Sequence, residues 1–340
     1  MKAIRFHQHG GSEVLQYEDV PDPVLRKDQV LVRVKAVALN HLDLWVRQGV
    51  PGVTLPQIPG SDVAGDVAEV GEYITDIKPG TRVLLAPMVF CGVCEKCVSG
   101  QQNLCPQFSV LGYRVPGGDA ELIAVPRVNV IPIPQELTYD EAAAVPLVFL
   151  TAWHMLVGRA KIRPGQTVLI LGAGSGVGSA AIQIAKLWNC TVITTAGSDS
   201  KLEQARELGA DHAIDHYKQK ISEEVKKITS KQGVDIVFEH VGQATWLESV
   251  RSLKPGGTLV TCGATTGGEG NLDIRVLFTR QLNLLGSFMG TMGELHEVLK
   301  HVFAGRLKPV VDRSFPLREA AAAHDYLAKS SMFGKVILNP

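Results

Sequence analysis

No charge of either sign dominates this chain. Lys and Arg total 34 and Asp and Glu total 34 over 340 residues. No global field draws it to nucleic acid or to an anionic membrane, and no run of like charges forms a basic arm. Long apolar runs are missing as well. The greasiest stretch, residues 142–157, is too short to span a bilayer comfortably and contains Pro146 and His154; it reads as a buried helix. The N-terminal MKAIRFHQHG alternates like a first strand and has no apolar signal-peptide core. Cysteine is scarce, 6 in all, which excludes a disulfide-stapled scaffold. There are no internal repeats and no low-complexity segment. The expectation is a cytoplasmic, reducing location and, at this length, two domains.

Four of the six cysteines are concentrated in one stretch. Cys91, Cys94, Cys97 and Cys105 read C-x2-C-x2-C-x7-C. Four thiolates close a tetrahedral shell around one zinc ion and leave no position for water or substrate. The expected metal is therefore one structural zinc in a lobe at 91–105, with Gly92, Gly100 and Pro106 supplying turns. Cys190 and Cys262 sit beside apolar runs and read as buried small side chains.

The first third is rich in strands and turns. Val30–Ala38, Val63–Val70 and Arg82–Ala86 alternate apolar and polar residues, and Pro-Gly pairs punctuate them. Past Pro126–Pro134, strands and helices alternate. Strands are expected at Thr167–Leu171, Val192–Thr195, His212–Ile214, Ile236–Phe238 and Thr258–Thr261, and helices at Gly176–Trp188 and Lys201–Leu208. Leu282–Ser287 adds an edge strand. Such alternation makes a parallel sheet with helices on both faces. The tail from about Arg306 rejoins the first domain.

The run QTVLILGAGSGVGSAAIQIAKLW carries a strand into a glycine-rich turn and then a helix. The literal G-x-G-x-x-G is absent; the nearest frame is Ala173-x-Ser175-x-x-Gly178. Gly174, Ser175, Gly176, Val177 and Gly178 are the candidate dinucleotide seat, where backbone and helix N-terminus meet a pyrophosphate. Val177, Ala181, Ile184, Ala185 and Trp188 are expected on one apolar face. An acid at the end of the second strand would bond an NAD ribose; Ala196 stands there instead. Ser198 and Lys201 follow, a seat for a 2′-phosphate, so NADPH is favoured over NADH. Two alternatives stay open: Ser198 and Ser200 serve as helix caps, Ser200 with Glu203 as a capping box, and Asp199 swings to the ribose.

These two motifs in this order resemble the medium-chain dehydrogenase/reductase superfamily over nearly the whole chain. The cysteine lobe is similar to that of zinc alcohol dehydrogenases. ALNHLDLWVRQG, IPGSDVAGDVAEVG, FLTAWHML, LGAGSGVG, TAGSDSKL and FGKVIL look like the quinone oxidoreductase and enoyl reductase branch. The resemblance implies an α/β fold: a doubly wound Rossmann domain at 127–296, and a GroES-like irregular β-barrel domain at 1–126 and 297–340 carrying the zinc lobe. It also exposes an absence. Where zinc alcohol dehydrogenases place three catalytic zinc ligands, this chain has Asn40, Ser61 and Leu147. His41, Asp43, Asp62 and His154 remain nearby; they read as structural hydrogen-bonders rather than as a rebuilt metal site.

The resemblance places Asn40, Asp43, Trp45, Ser61 and Thr151 around nicotinamide and substrate. Asn40 is expected to orient the substrate oxygen or the cofactor. Trp45 stands where relatives often carry tyrosine; it either stacks on a flat substrate or packs ordinarily, and its indole cannot give up a proton as a phenol can. Val241, Gly242 and Gly263 are expected near the nicotinamide ribose, His216 near the adenosine phosphate, and Lys335 near the cofactor. The implied activity is NADPH-dependent hydride transfer to a quinone, enone or enoyl thioester without catalytic zinc. The alternatives are a zinc-type alcohol dehydrogenase or carbonyl reductase, and a weakly catalytic NADPH-binding protein. A small-molecule substrate and a homodimer or homotetramer complete the expectation.

Overall fold

The computed structural model describes all residues, 1–340. The chain divides into two compact units, Met1–Leu147 with Thr291–Pro340, and Val148–Gly290. The boundaries expected at 126/127 and 296/297 therefore shift. Residues past 126 stay in the first unit because Val130–Pro132 pairs with Arg82–Leu85 and extends its sheet. Thr291, whose side chain caps the helix Met292–Phe303, opens the return.

The first unit is built on a seven-stranded sheet. Its spine is Gln29–Ala38, ten residues whose burial largely alternates. One edge of this strand pairs antiparallel with Asp62–Val70. The other edge is shared: Leu122–Pro126 covers its start and Lys335–Asn339 its end. The register Ile337 opposite Ala38 sets Lys335 beside Asn40. Because Ala38 also faces Asp62, three strand ends converge at one place. Around them Val32, Val34, Val37, Val63, Leu85 and Val336 form the core.

The second unit is a six-stranded parallel sheet. In chain order its strands are His212–Asp215 third, Thr191–Ala196 second, Thr167–Ile170 first, Val234–Glu239 fourth, Leu253–Thr261 fifth and Asn283–Gly286 sixth, in spatial order 3-2-1-4-5-6. That is the doubly wound order, with its switch between strands 1 and 4. The expected strands are all present, with ends moved by a few residues.

Three local expectations change. Residues 142–157 form no single helix: Tyr139–Ala143 ends, Pro146 opens a second helix to Trp153, and a wider turn runs over His154–Arg159. Pro146 lacks the N–H that a continuing helix needs, but suits a first turn. The helix Gly176–Leu187 buries small residues more broadly than expected, among them Ser179, Ala180 and Ile182, while Val177 and Trp188 are half-exposed. Finally, Ser198 rather than Ser200 caps the next helix, accepting the Lys201 N–H at 3.4 Å. No helix is long and apolar enough to cross a membrane.

Candidate active site and metal lobe

In the first unit, four polar side chains meet where the three strand ends converge. Lys335 Nζ lies 2.6 Å from Asn40 Oδ1 and 3.2 Å from Asp62 Oδ2. Asn40 Nδ2 donates to Asp62 Oδ2 at 3.0 Å and to the Ala38 carbonyl at 3.3 Å. Asp62 Oδ1 accepts the Leu147 N–H at 2.9 Å. Asp43, in the first turn of the helix His41–Gln48, reaches back to accept the Asn40 N–H at 2.7 Å and the Gly60 N–H at 3.2 Å. Asn40 is 6 % exposed, Lys335 4 % and Asp62 0 %, so water screens none of these contacts.

Burial pushes Asp62 up and Lys335 down, each toward its neutral form. Their mutual attraction across 3.2 Å opposes this, and the Asn40 and Leu147 donors further favour the Asp62 carboxylate. Asp43 is pushed up to about 6 by burial, against the Asn40 and Gly60 N–H bonds and the Lys335 charge. Asp119 belongs to the same neighbourhood and was not foreseen. Its Oδ1 lies 2.4 Å from where a Cβ on Gly60 would sit. Both its oxygens are buried without a hydrogen-bond partner, and burial, with the nearby Asp43 charge, raises it well above the usual carboxylate range. Ser61 Oγ is likewise buried and unpartnered. Trp45 is half-buried, its ring 6.4 Å from that of His41.

The Asn40 amide has both N–H bonds committed to the protein, so it has none to offer a substrate oxygen. It holds Lys335 instead. No sequence-local signal pointed to that contact, which joins residues 295 apart.

The four lobe cysteines cluster with all ligand atoms within 4.8 Å of one another. Cys91 Sγ is 3.8 Å from Cys97 Sγ and 3.6 Å from Cys105 Sγ. Four Zn–S bonds of ~2.3 Å at tetrahedral angles separate sulfurs by about 3.8 Å. All six cysteines are free thiols. The Val93 and Cys94 N–H groups pull Cys91 down to about 6, toward the thiolate a metal needs. Burial pushes Cys97 up to about 12; a bound divalent cation reverses that effect. Cys190 is buried and Cys262 half-buried.

In the second unit the glycine turn is built for close approach. A Cβ on Gly178 would lie 2.3 Å from the Gly172 carbonyl oxygen and 2.8 Å from Ser175 Oγ, so only glycine packs there. Ser175 caps the helix, its Oγ accepting the Gly178 N–H at 2.9 Å. His240 Nε2 lies 2.7 Å from the Leu171 carbonyl and 3.3 Å from Ser175 Oγ, tying the turn to the end of the fourth strand; burial lowers its pKa. Just before it, Glu239 Oε1 accepts the Val241 and Gly242 N–H groups at 2.6 and 3.1 Å, and Oε2 accepts the Thr245 and Ser249 hydroxyls at 2.8 and 2.5 Å. A Cβ on Gly263 would come within 2.9 Å of the His240 carbonyl oxygen, so this loop packs on the next strand's end. Neither Glu239 nor His240 was singled out from sequence, although the run EHVG joins them to Val241 and Gly242. Thr151 Oγ1 is buried without a partner in this unit.

At the end of the second strand, Ser198 and Asp199 are exposed and Lys201 half-exposed. Lys218 Nζ bonds Asp199 at 3.4 Å and Asp215 at 2.9 Å, so one cation already answers both nearby acids. His216 lies against Tyr217, ring centroids 4.5 Å apart. The Tyr217 ring is 2.4 Å from where a Cβ on Gly197 would sit, and the residue is 81 % exposed. Lys218 and Tyr217 are additions that the sequence reading missed.

Comparison with known proteins agrees with this two-unit reading. Residues 26–135 match the alcohol dehydrogenase GroES-like domain, and residues 176–304 match the zinc-binding dehydrogenase family. An NAD-dependent alcohol dehydrogenase of Sulfolobus acidocaldarius is 32 % identical over 99 % of each chain. An NADPH-dependent alkenal/one oxidoreductase of Arabidopsis thaliana is 33 % identical over 100 % of this chain and 80 % of its own. A crystal structure of an NAD-dependent alcohol dehydrogenase superposes with a TM-score of 0.97 at 43 % identity, covering 100 % of both chains. With the doubly wound sheet, the GroES-like domain and full-length relatives in agreement, the chain belongs to the zinc-type alcohol dehydrogenase-like members of the medium-chain dehydrogenase/reductase superfamily, and it is an NAD(P)-dependent oxidoreductase.

Proposed function

We propose that this chain reduces conjugated carbonyl compounds (enones, quinones or enoyl thioesters) with NADPH, using one structural zinc in the cysteine lobe and no catalytic zinc. One observation carries the reading: the buried Lys335 side chain lies against Asn40, which stands at the first zinc-ligand position, and against Asp62, next to the second. Lys335 Nζ sits 2.6 Å from Asn40 Oδ1 and 3.2 Å from Asp62. The residues at the three zinc-ligand positions are an amide, a hydroxyl and a leucine. That donor set does not fit zinc, which takes thiolate, imidazole or carboxylate, and a buried ammonium repels a second cation beside it.

When bound, a nicotinamide cofactor supplies a hydride to the β-carbon of the conjugated system, whose electron pair moves onto oxygen before a solvent proton completes the product. The protein's share is binding and charge control. Gly174, Ser175, Gly176, Val177 and Gly178 offer backbone N–H groups and a helix N-terminus to the pyrophosphate. Val241, Gly242 and Gly263 hold the nicotinamide ribose, with Glu239 fixing the loop. Ser198, Lys201 and His216 seat the 2′-phosphate; Lys218, by engaging Asp199, removes the nearest acid that would prefer a free ribose. Asp43 and Asn40 position Lys335 rather than touching substrate, and Ser61, Thr151 and Trp45 border the reacting groups.

The rival is a zinc-type alcohol dehydrogenase, which the printed names of the Sulfolobus relative and the superposed structure favour. The test is NADPH oxidation across an enone, a benzoquinone, an enoyl thioester, a simple ketone and an aldehyde, with zinc counted on the same preparation. Turnover confined to the conjugated substrates at one zinc per chain supports the reading; ketone turnover at two zinc ions per chain supports the rival.

We also read the chain as a homodimer or homotetramer. The strand Asn283–Gly286 is a free sheet edge, flanked by Phe278 and Phe288, which are 64 % and 58 % exposed. Sedimentation showing a monomer at micromolar concentration removes this reading.

A further inference from the structure

The Lys335 ammonium has three N–H bonds, and the protein takes only two, at Asn40 Oδ1 and Asp62 Oδ2. The third has no protein acceptor, although the residue is 4 % exposed. A buried charge short of a partner is costly, so the arrangement calls for one more acceptor. Its two partners are already engaged. Asn40 Oδ1 already accepts Lys335, and its amide hydrogens go to Asp62 and Ala38. Asp62 accepts Leu147 N on one oxygen and Asn40 and Lys335 on the other. The ammonium is therefore held by two acceptors and has one donor in hand.

We propose that Lys335 is the electrophile of the reduction: its free N–H takes the oxygen of the conjugated carbonyl, and the negative charge that builds there meets a fixed ammonium in place of a metal ion. This deepens the reductase reading and rests on it. Lys335 accordingly serves the substrate rather than the cofactor. The logic is that of an oxyanion hole, in which a donor held in place beforehand needs no reorganisation as charge develops. It also accounts for the substrate class. An enolate oxygen is closer in basicity to an ammonium than an alkoxide is, so a lysine suffices for a conjugated carbonyl where a simple ketone needs the stronger pull of zinc.

The test compares wild type with Lys335→Met on two substrates, a simple enone and a benzoquinone, while NADPH affinity is followed by fluorescence. A benzoquinone spreads its incoming charge over a ring and needs less help at oxygen. The expected result is a loss of ~100-fold or more in kcat on the enone and under ~10-fold on the quinone, with the NADPH Kd unchanged. Should Lys335→Met not fold, the pair Lys335→Met with Asp62→Asn removes both buried charges, keeps an acceptor for Leu147 N, and gives the same comparison. Equal losses on both substrates, or a weakened NADPH Kd large enough to account for them, overturn the role of Lys335 and leave the reductase reading standing. A wild-type protein that reduces neither substrate overturns the reductase reading itself, and this proposal with it.

Discussion

Glu239 receives the Ser249 hydroxyl at 2.5 Å while its other carboxylate oxygen receives the Val241 N–H at 2.6 Å. One buried side chain thus ties the helix that follows the fourth strand to the loop assigned to the nicotinamide ribose. Removing it leaves two backbone N–H groups and the Ser249 hydroxyl unanswered, at ~1–3 kcal/mol for each donor that stays dry, while Thr245 Oγ1 keeps the Gly242 carbonyl at 3.3 Å. Glu239→Ala is expected to lower the melting temperature and to raise the Kd for NADPH ~10-fold, while Glu239→Gln, which keeps a carbonyl acceptor for the loop, recovers part of both. Calorimetry and fluorescence titration check this; a Glu239→Ala protein with wild-type cofactor affinity contradicts it.

Asp119 is the least settled group in the first unit, buried with both oxygens unpartnered beside Gly60. Its folded pKa is raised well above the ordinary value of 3.8 by burial and then by Asp43. Between those two values the folded state holds more protons than the unfolded state, so stability falls as pH rises, at ~1.4 kcal/mol per unit for one such group. Asparagine cannot ionise. Asp119→Asn is therefore expected to unfold at higher denaturant concentration than wild type, by a margin that widens from acid to neutral pH. A margin that is flat or shrinks with pH contradicts the assignment.

Cofactor preference is expected to follow the cations after the second strand. Lys201→Ala should raise the KM for NADPH ~10-fold, about 1.4 kcal/mol, and leave NADH unchanged. Lys218→Ala releases Asp199, now engaged at 3.4 Å, and should improve NADH use. Steady-state kinetics with both cofactors decide this; an unaltered preference in Lys201→Ala removes the phosphate seat.

The cysteine lobe is expected to be structural in the strict sense. Cys97→Ser should lose its zinc and lower the melting temperature by at least ~5 °C. NADPH affinity should persist, because residues 91–105 and the glycine turn belong to different units. Metal analysis with a fluorescence titration checks both halves.

The parts legible in the sequence were those written over short spans. The four cysteines lie within fifteen residues, and strand, glycine turn and helix follow one another at Thr167–Leu187, so the cysteine cluster and this strand–turn–helix unit could be named from spacing alone. Period-two alternation likewise located Gln29–Ala38 and Asp62–Val70. What stayed hidden depends on register. Lys335 meets Asn40 only because Ile337 pairs with Ala38, a pairing no local pattern encodes. Asp119 was invisible for the same reason: its neighbour Gly60 is brought in by long-range pairing, with the Asp119 N–H on the Pro59 carbonyl at 3.0 Å. Ser198 rather than Ser200 caps the helix; either serine satisfies the capping rule, and the two differ by two residues of register.

Zinc content per chain, measured together with NADPH-dependent turnover of an enone, tests the central claim most directly. The account predicts one zinc per chain, unchanged after incubation with excess zinc and dialysis, with full enone reduction. A second, tightly held zinc per chain on which turnover depends would contradict it, because that ion would have to displace Lys335 from Asn40 and Asp62.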